Sequence, residues 1–196
     1  MDIQLHKAAE TDDVATIQQL LATGTDIEAR DASGATALLV ATRGNRVKAA
    51  QALIEAGADV NAKDDIEDSP YLYAGARGYL EILQLALAHG AGLGSVNRYG
   101  GTALIPASER GHVEAVETLI KAGVAVDHIN RLGWTALLEA IILSDGGSRH
   151  VRIVELLLTA GANVNIADRE GVTPLQHARG RDYDKIAALL EKAGAK

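Results

Sequence analysis

The chain contains no cysteine and no phenylalanine, only three prolines, and aromatic residues at just 3% of its 196 positions. Without cysteine it has no disulfide, no thiolate-ligated zinc or iron–sulfur cluster and no thiol nucleophile, and the absence suits any redox compartment. Long apolar runs are missing too: no stretch approaches the roughly 18 residues a membrane-spanning helix requires. The opening Met1-Asp2-Ile3-Gln4 lacks the basic-then-apolar layout of a secretion signal. A cytoplasmic protein is therefore expected, although a processed secreted form would read the same. Positive charge is in deficit, 19 Lys and Arg against 26 Asp and Glu for a net charge of −7, which disfavours a general nucleic-acid or anionic-membrane binder. What remains is 47% hydrophobic and 23% charged, the balance of an ordered chain. Ala and Gly are abundant and large apolar residues scarce, so any core is thin and closely layered.

The glycines form a ladder. Gly24, Gly57, Gly90, Gly123, Gly161 and Gly194 are spaced 33, 33, 33, 38 and 33 residues apart. A second column, Thr36, Ser69, Thr102, Thr135 and Thr173, steps by 33, 33, 33 and 38. Both columns take their one irregular step across the same stretch, which places a five-residue insertion between Thr135 and Gly161. A period in this range marks a stacked-repeat architecture. Within one unit, Thr102 is placed to cap a helix running through Ala103-Leu104-Ile105 and ending near Arg110-Gly111, where glycine supplies the left-handed C-terminal residue. A second helix follows with its apolar stripe at Val113, Val116, Leu119 and Ile120, and Gly123 stops it. Val151, Val154, Leu157 and Leu158 repeat that stripe one unit later. Each unit reads as helix, turn, helix, then an extended β-turn finger.

The stretches Gly34-Ala-Thr-Ala-Leu, Gly100-Gly-Thr-Ala-Leu, Gly133-Trp-Thr-Ala-Leu and Gly171-Val-Thr-Pro-Leu, with the tails Gly57-Ala-Asp-Val-Asn and Gly161-Ala-Asn-Val-Asn, resemble the ankyrin-repeat unit, G-x-T-P-L-H-x-A-A-x-x-G-H followed by a Val/Leu-rich helix and G-A-D-V-N. The resemblance covers nearly the whole chain. It implies an all-α ankyrin-repeat solenoid of helix-turn-helix units with β-turn fingers. One domain over 1–196 is expected, with units at about 1–33, 34–66, 67–99, 100–132, 133–170 and 171–196, the terminal two as capping repeats and the whole as a monomer. There are departures from the family pattern. An apolar residue stands in place of the family's histidine in four units, Pro106 lies one turn into its helix where it should remove an early backbone hydrogen bond, and Glu67 replaces the finger glycine of the third unit. That third unit, whose tail reads Gly90-Ala-Gly-Leu-Gly-Ser, is expected to be the least stable joint.

Catalytic chemistry is hard to find. The six histidines show no His-Glu-x-x-His or other close ligand pair, so no metal is expected; His112 and His150 occupy the family's Gly-His column, where the ring packs. Gly90-Ala-Gly-Leu-Gly-Ser follows a helix and leads into a finger, the wrong context for a phosphate loop. No G-x-S-x-G elbow occurs, and neither a catalytic residue nor a cofactor is expected. The inserted segment Ser144-Asp145-Gly146-Gly147-Ser148-Arg149 reads as a loop between the two helices of the fifth unit. It has two readings: a tolerated surface loop, or an amide nest that binds an anion or touches a partner.

The resemblance implies protein binding on the concave surface made by fingers and first helices. The exposed finger residues on this reading are Ala32, Ser33 and Ala35; Asp65, Ile66 and Asp68; Arg98, Tyr99 and Gly101; Arg131, Leu132 and Trp134; and Arg169, Glu170 and Val172. The ends of the first helices add Arg77, Glu109 and Arg110, among others. The chain's only Trp, a Tyr and several Arg, the types that dominate binding hot spots, fall in this set. A partner-binding epitope is expected at Arg77, Arg98, Tyr99, Glu109, Arg110, Arg131, Leu132, Trp134 and Arg169, for an unidentified protein with an acidic segment. The competing reading pairs these arginines with Glu109, Glu139 and Glu170 between repeats and packs Trp134 on the next finger. A non-enzymatic scaffold, adaptor or inhibitor follows, with ligand or anion binding at Asp145, Gly146, Gly147, Ser148 and Arg149 as the alternative, and a rigid spacer as a third class.

Overall fold

A computed structural model describes residues 3–196, which form twelve helices in six consecutive pairs. These are α1 (Gln4–Glu10) with α2 (Val14–Ala22), α3 (Ala37–Arg43) with α4 (Val47–Glu55), α5 (Pro70–Arg77) with α6 (Leu80–Ala88), α7 (Leu104–Glu109) with α8 (Val113–Ala122), α9 (Ala136–Ile142) with α10 (Ser148–Thr159), and α11 (Pro174–Gly180) with α12 (Asp184–Lys192). Among the described residues there is no β-strand, only a single antiparallel bridge between Arg30 and Thr36, and no helix is long and apolar enough to cross a membrane. The helix-turn-helix pair expected from the 33-residue period is therefore present in all six positions, with five fingers between them.

The Thr/Ser column does what its spacing implies in four of five places. Thr36, Ser69, Thr135 and Thr173 each accept a hydrogen bond from the backbone N–H three residues on, at Leu39, Leu72, Leu138 and Gln176, with distances of 3.2–3.3 Å. The capping oxygen satisfies a donor that the first helical turn leaves orphaned. Thr102 is the exception, contrary to the expected cap. The helix begins at Leu104, and the buried Thr102 hydroxyl has no partner. Pro106 is the cause. In the other units the N–H four residues after the cap, such as that of Val40 or Glu139, donates to the cap's own carbonyl. Proline has no N–H, and its ring crowds that carbonyl. The Thr102 carbonyl instead takes the Ile105 N–H at 3.2 Å, which withdraws that donor from the threonine hydroxyl.

Two compact units make up the chain. The first runs to Ala74 and includes Tyr79–Arg98; the second comprises Gly75–Gly78 and Tyr99–Lys196. In the first, α1 packs on α3 and α2 on α4; in the second, α7 packs on α9 and α9 on α11, while α8 packs on α10 and α10 on α12. First helices thus meet first helices, and second meet second. The small-residue composition is explained by one column: Ala41 and Ala74 in the first unit, and Ala107, Ala140 and Ala178 in the second, are all fully buried. A methyl side chain lets adjacent helix backbones approach closely, and neighbouring leucines such as Leu137 and Leu138 fill the remaining space. Each such leucine contributes about 1.5–3 kcal/mol of burial. Charge is unevenly divided: the first unit has seven Lys and Arg against fourteen Asp and Glu, the second twelve against twelve. The net −7 thus belongs wholly to the first unit, and the acidity of the composition says nothing about the second.

Candidate finger surface and inserted loop

Each finger is shaped by one short polar side chain that the periodicity also contains but whose role is visible only in three dimensions. Asp31, Asp64, Asn97, Asn130 and Asp168 are spaced 33, 33, 33 and 38 residues apart. Asn130 Oδ1 accepts the N–H of Leu132 at 2.9 Å and of Trp134 at 3.0 Å. Asp168 does the same for Glu170 and Val172, and Asp31 and Asp64 follow suit in the first unit. A side-chain carbonyl mimicking a turn acceptor is the property that makes Asx residues turn formers. In three of them the remaining polar atom ties the finger to a nearby side chain: Asp64 to Arg43, Asn130 Nδ2 to Glu139 Oε1 at 2.7 Å, and Asp168 Oδ2 to His177 Nε2 at 2.6 Å.

The expected epitope residues divide along these lines. Tyr99 and Leu132 stand at finger tips of the second unit with 55% and 49% exposure. Arg131 and Arg169 are exposed beside them, and Arg77 and Arg110 are exposed at helix ends of the same unit, with Glu109 half-buried. Trp134 is half-buried, and its column turns inward: Ala35 and Gly101, expected to be exposed, are buried. The reason is local. This position donates its N–H to the Asx oxygen and immediately precedes the capping residue, so its side chain is carried toward the helices. Arg98 lies on the first unit's last finger, 3.8 Å from Asp68 and 3.5 Å from the Ile66 carbonyl.

Two of the arginines donate to backbone carbonyls. Arg110 donates to the Ala76 carbonyl at 2.8 Å and Arg169 to the Arg131 carbonyl, while the Arg131 N–H donates to the Tyr99 carbonyl at 2.9 Å. The fingers of the second unit are stitched together through backbone oxygens. A guanidinium has five donors, so one such bond leaves capacity for a ligand. Glu139 is elsewhere altogether. It is 5% exposed on α9, held by Asn130 on one side and repelled by Glu109. Burial first, and Glu109 second, push its carboxyl up to about 7, with the Asn130 hydrogen bond and Arg110 opposing. Sequence spacing does not reveal this pair of carboxylates, because 30 residues separate them and α7 against α9 brings them together.

The insertion is only partly a loop. Ser148 and Arg149, expected in it, are the first two residues of α10, which extends to twelve residues. The remainder is firmly held. Gly146 N–H donates to Ser144 Oγ at 3.2 Å and Gly147 N–H to Asp145 Oδ1 at 2.9 Å. His150 bridges Asp145 (3.1 Å) and the Glu109 carbonyl (2.9 Å), and Tyr183 OH donates to the Ser144 carbonyl at 2.6 Å. The Gly146 and Gly147 amides are thus occupied by the segment's own oxygens, while Ser148 and Arg149 open α10, which has no side-chain cap. Backbone and side-chain donors hold the Asp145 carboxylate below its usual range, the Gly147 N–H foremost and His150 next. Beside it lies an open cleft of about 630 Å³ whose walls include Ser148, Arg152, Arg181 and Tyr183. Among the described residues, no group of three or more His, Asp or Glu side chains is placed to hold a metal ion. His112 packs its ring against Gly78, and burial lowers its pKa.

Comparison with known proteins agrees with this architecture. A family model described as ankyrin repeats in three copies matches residues 3–64 and 71–168; the unmatched 65–70 contains the Glu67 finger. The ankyrin repeat protein YahD of Escherichia coli (strain K12) is 41% identical over 58 residues, a match spanning 30% of this chain and 29% of that relative. A crystal structure of an ankyrin repeat domain from Acinetobacter baumannii AYE is 65% identical with a TM-score of 0.97, covering 99% of both chains. The ankyrin repeat protein EF0377 is 40% identical with a TM-score of 0.93, covering 99% of this chain and 98% of that one. The chain belongs to the ankyrin-repeat family, whose helix-pair-and-finger units are in general protein–protein interaction modules.

Proposed function

We propose that this protein binds a partner protein through the finger surface of its second unit, with Tyr99 and Leu132 as apolar anchors and Arg131 and Arg169 beside them selecting an acidic segment. The observation that carries this reading is the exposure of Tyr99 and Leu132 at 55% and 49% on finger tips tied by backbone hydrogen bonds. A large apolar side chain fixed in water by a rigid turn is pre-organised to bind, because little conformational entropy is lost when it is covered. Arg77 and Arg110 extend the cationic character toward the helix ends. Trp134 supports the tip from its half-buried position, and the proposal involves no catalysis. Leu132→Asp and Tyr99→Ala change exposed atoms, so both variants should melt within a few degrees of the parent. Each should lose most of the partner captured from native lysate, and Arg131→Ala should weaken capture in a salt-dependent way. Undiminished capture by Leu132→Asp and Tyr99→Ala would sink the proposal, as would capture losses that merely track thermal stability.

A further inference from the structure

We infer that Glu139, acting through Asn130, is the positioning residue of the finger tip that carries Leu132 and Trp134, and that it makes this tip respond to protonation. The inference rests on the docking role proposed for that finger. Geometry carries it. Asn130, 6% exposed, spends its one amide oxygen on both N–H groups that define the tip, Leu132 at 2.9 Å and Trp134 at 3.0 Å. Its orientation is set from behind by Glu139 Oε1, 2.7 Å from Nδ2. In the other fingers with a resolved tie, the equivalent partner is a side chain of a different kind: Arg43 for Asp64 and His177 for Asp168. Of these three ties, this one ends on a buried carboxyl.

The surroundings decide which protonation state fits. From the end of α7, Glu109 repels a carboxylate at Glu139 and Arg110 attracts it more weakly. On α10, His150 is engaged by Asp145 and the Glu109 carbonyl. On α11, His177 is engaged by Asp168 and Arg181. Burial and Glu109 together place the carboxyl's titration at about 7. The Asn130 amide opposes that rise, because its N–H binds the carboxylate more strongly than the neutral carboxyl. Proton uptake therefore weakens the tie to Nδ2, and the oxygen that holds the tip is less firmly oriented. The tip is thus firm on the alkaline side of neutrality and loosened on the acid side.

Trp134 is the only tryptophan and donates its N–H to the Asn130 oxygen, so its emission reports on the latch without any partner present. Emission recorded from about pH 5.5 to about pH 8.5, at constant ionic strength, should shift to the red as pH falls, with a midpoint near 7. Glu139→Gln should remain at the acid-side position throughout, and Asn130→Ala should be red-shifted at both ends. An invariant wild-type spectrum would overturn the inference. So would the same transition persisting in Glu139→Gln. Should Glu139→Gln not fold by far-UV circular dichroism, Glu109→Gln takes its place: removing the repulsion should move the midpoint to lower pH, and an unmoved midpoint refutes the coupling. A titrating Trp134 in a protein that captures no partner would separate failure of the docking role from failure of this one.

Discussion

Replacing Pro106 with valine, the residue at the same column position in the second repeat (Val40), tests directly whether proline disables the cap. The substitution supplies an N–H four residues after Thr102. That donor can reach the Thr102 carbonyl, as Val40 reaches Thr36 at 3.0 Å and Glu139 reaches Thr135 at 3.0 Å. The Ile105 N–H, now on that carbonyl at 3.2 Å, is released to the Thr102 hydroxyl, which has no partner in the parent. The backbone bond is worth about 0.5–1.5 kcal/mol and the restored cap about 0.5–2 kcal/mol. Against this, losing proline loosens the unfolded chain by about 0.4–1 kcal/mol. The balance is a stabilisation of about 1 kcal/mol, measurable by urea denaturation with an unchanged m-value. A double-mutant cycle sharpens it. Thr102→Val should cost little in the parent, whose hydroxyl is idle, but about 1 kcal/mol in the Pro106→Val background. If Pro106→Val is neutral or destabilising, or if Thr102→Val costs the same in both backgrounds, proline is not what disables the cap.

Three further outcomes follow from the same geometry. Glu67 has φ +64° where Gly34, Gly100, Gly133 and Gly171 have +73° to +87°, so Glu67→Gly should raise stability by roughly 1 kcal/mol by relieving a left-handed side-chain-bearing residue; a lower melting temperature would contradict this. Gly146 has φ +65°, and a Cβ there would lie 2.5 Å from the Tyr183 ring. Gly146→Ala should therefore cost roughly 2–4 kcal/mol, more than Gly161→Ala, where the backbone is also left-handed but the space is open; equal losses would show that the ring contact is immaterial. Because Glu139 is raised from 4.5 to about 7 on folding, its contribution to stability is full below pH 4.5, declines as pH rises through that window, and is flat above 7. Glu139→Gln should accordingly gain about 3 kcal/mol over the parent at pH 8 and nothing at pH 4, and a pH-independent difference in chemical denaturation would refute the assignment.

Much of this protein is legible in one dimension because its fold is a stack of nearly identical local units. Helix starts, helix ends and finger positions follow from residues close in sequence, so the columns at Gly24 and Thr36 locate them, including the five-residue insertion. The exposed tips Tyr99 and Leu132 and the arginines beside them are legible for the same reason. What is not local escapes. Whether Thr102 caps depends on how a proline one turn away redirects a carbonyl. Ser148 and Arg149 join a helix because the inserted chain is pinned by His150 and Tyr183, the latter 39 residues from its acceptor. Arg169 bonds to a carbonyl of the preceding finger and Arg110 to the Ala76 carbonyl at the end of α5, because residues separated by about a whole repeat meet there. Glu139 shows the division most clearly. The sequence by itself determines that a glutamate occupies an interior turn of α9; only the packing of α7 and a finger around it strips away its water, sets Glu109 beside it and hands it the amide of Asn130. Solvation and charge–charge energies depend on everything within a few ångströms in space, a neighbourhood assembled from residues that no single repeat contains.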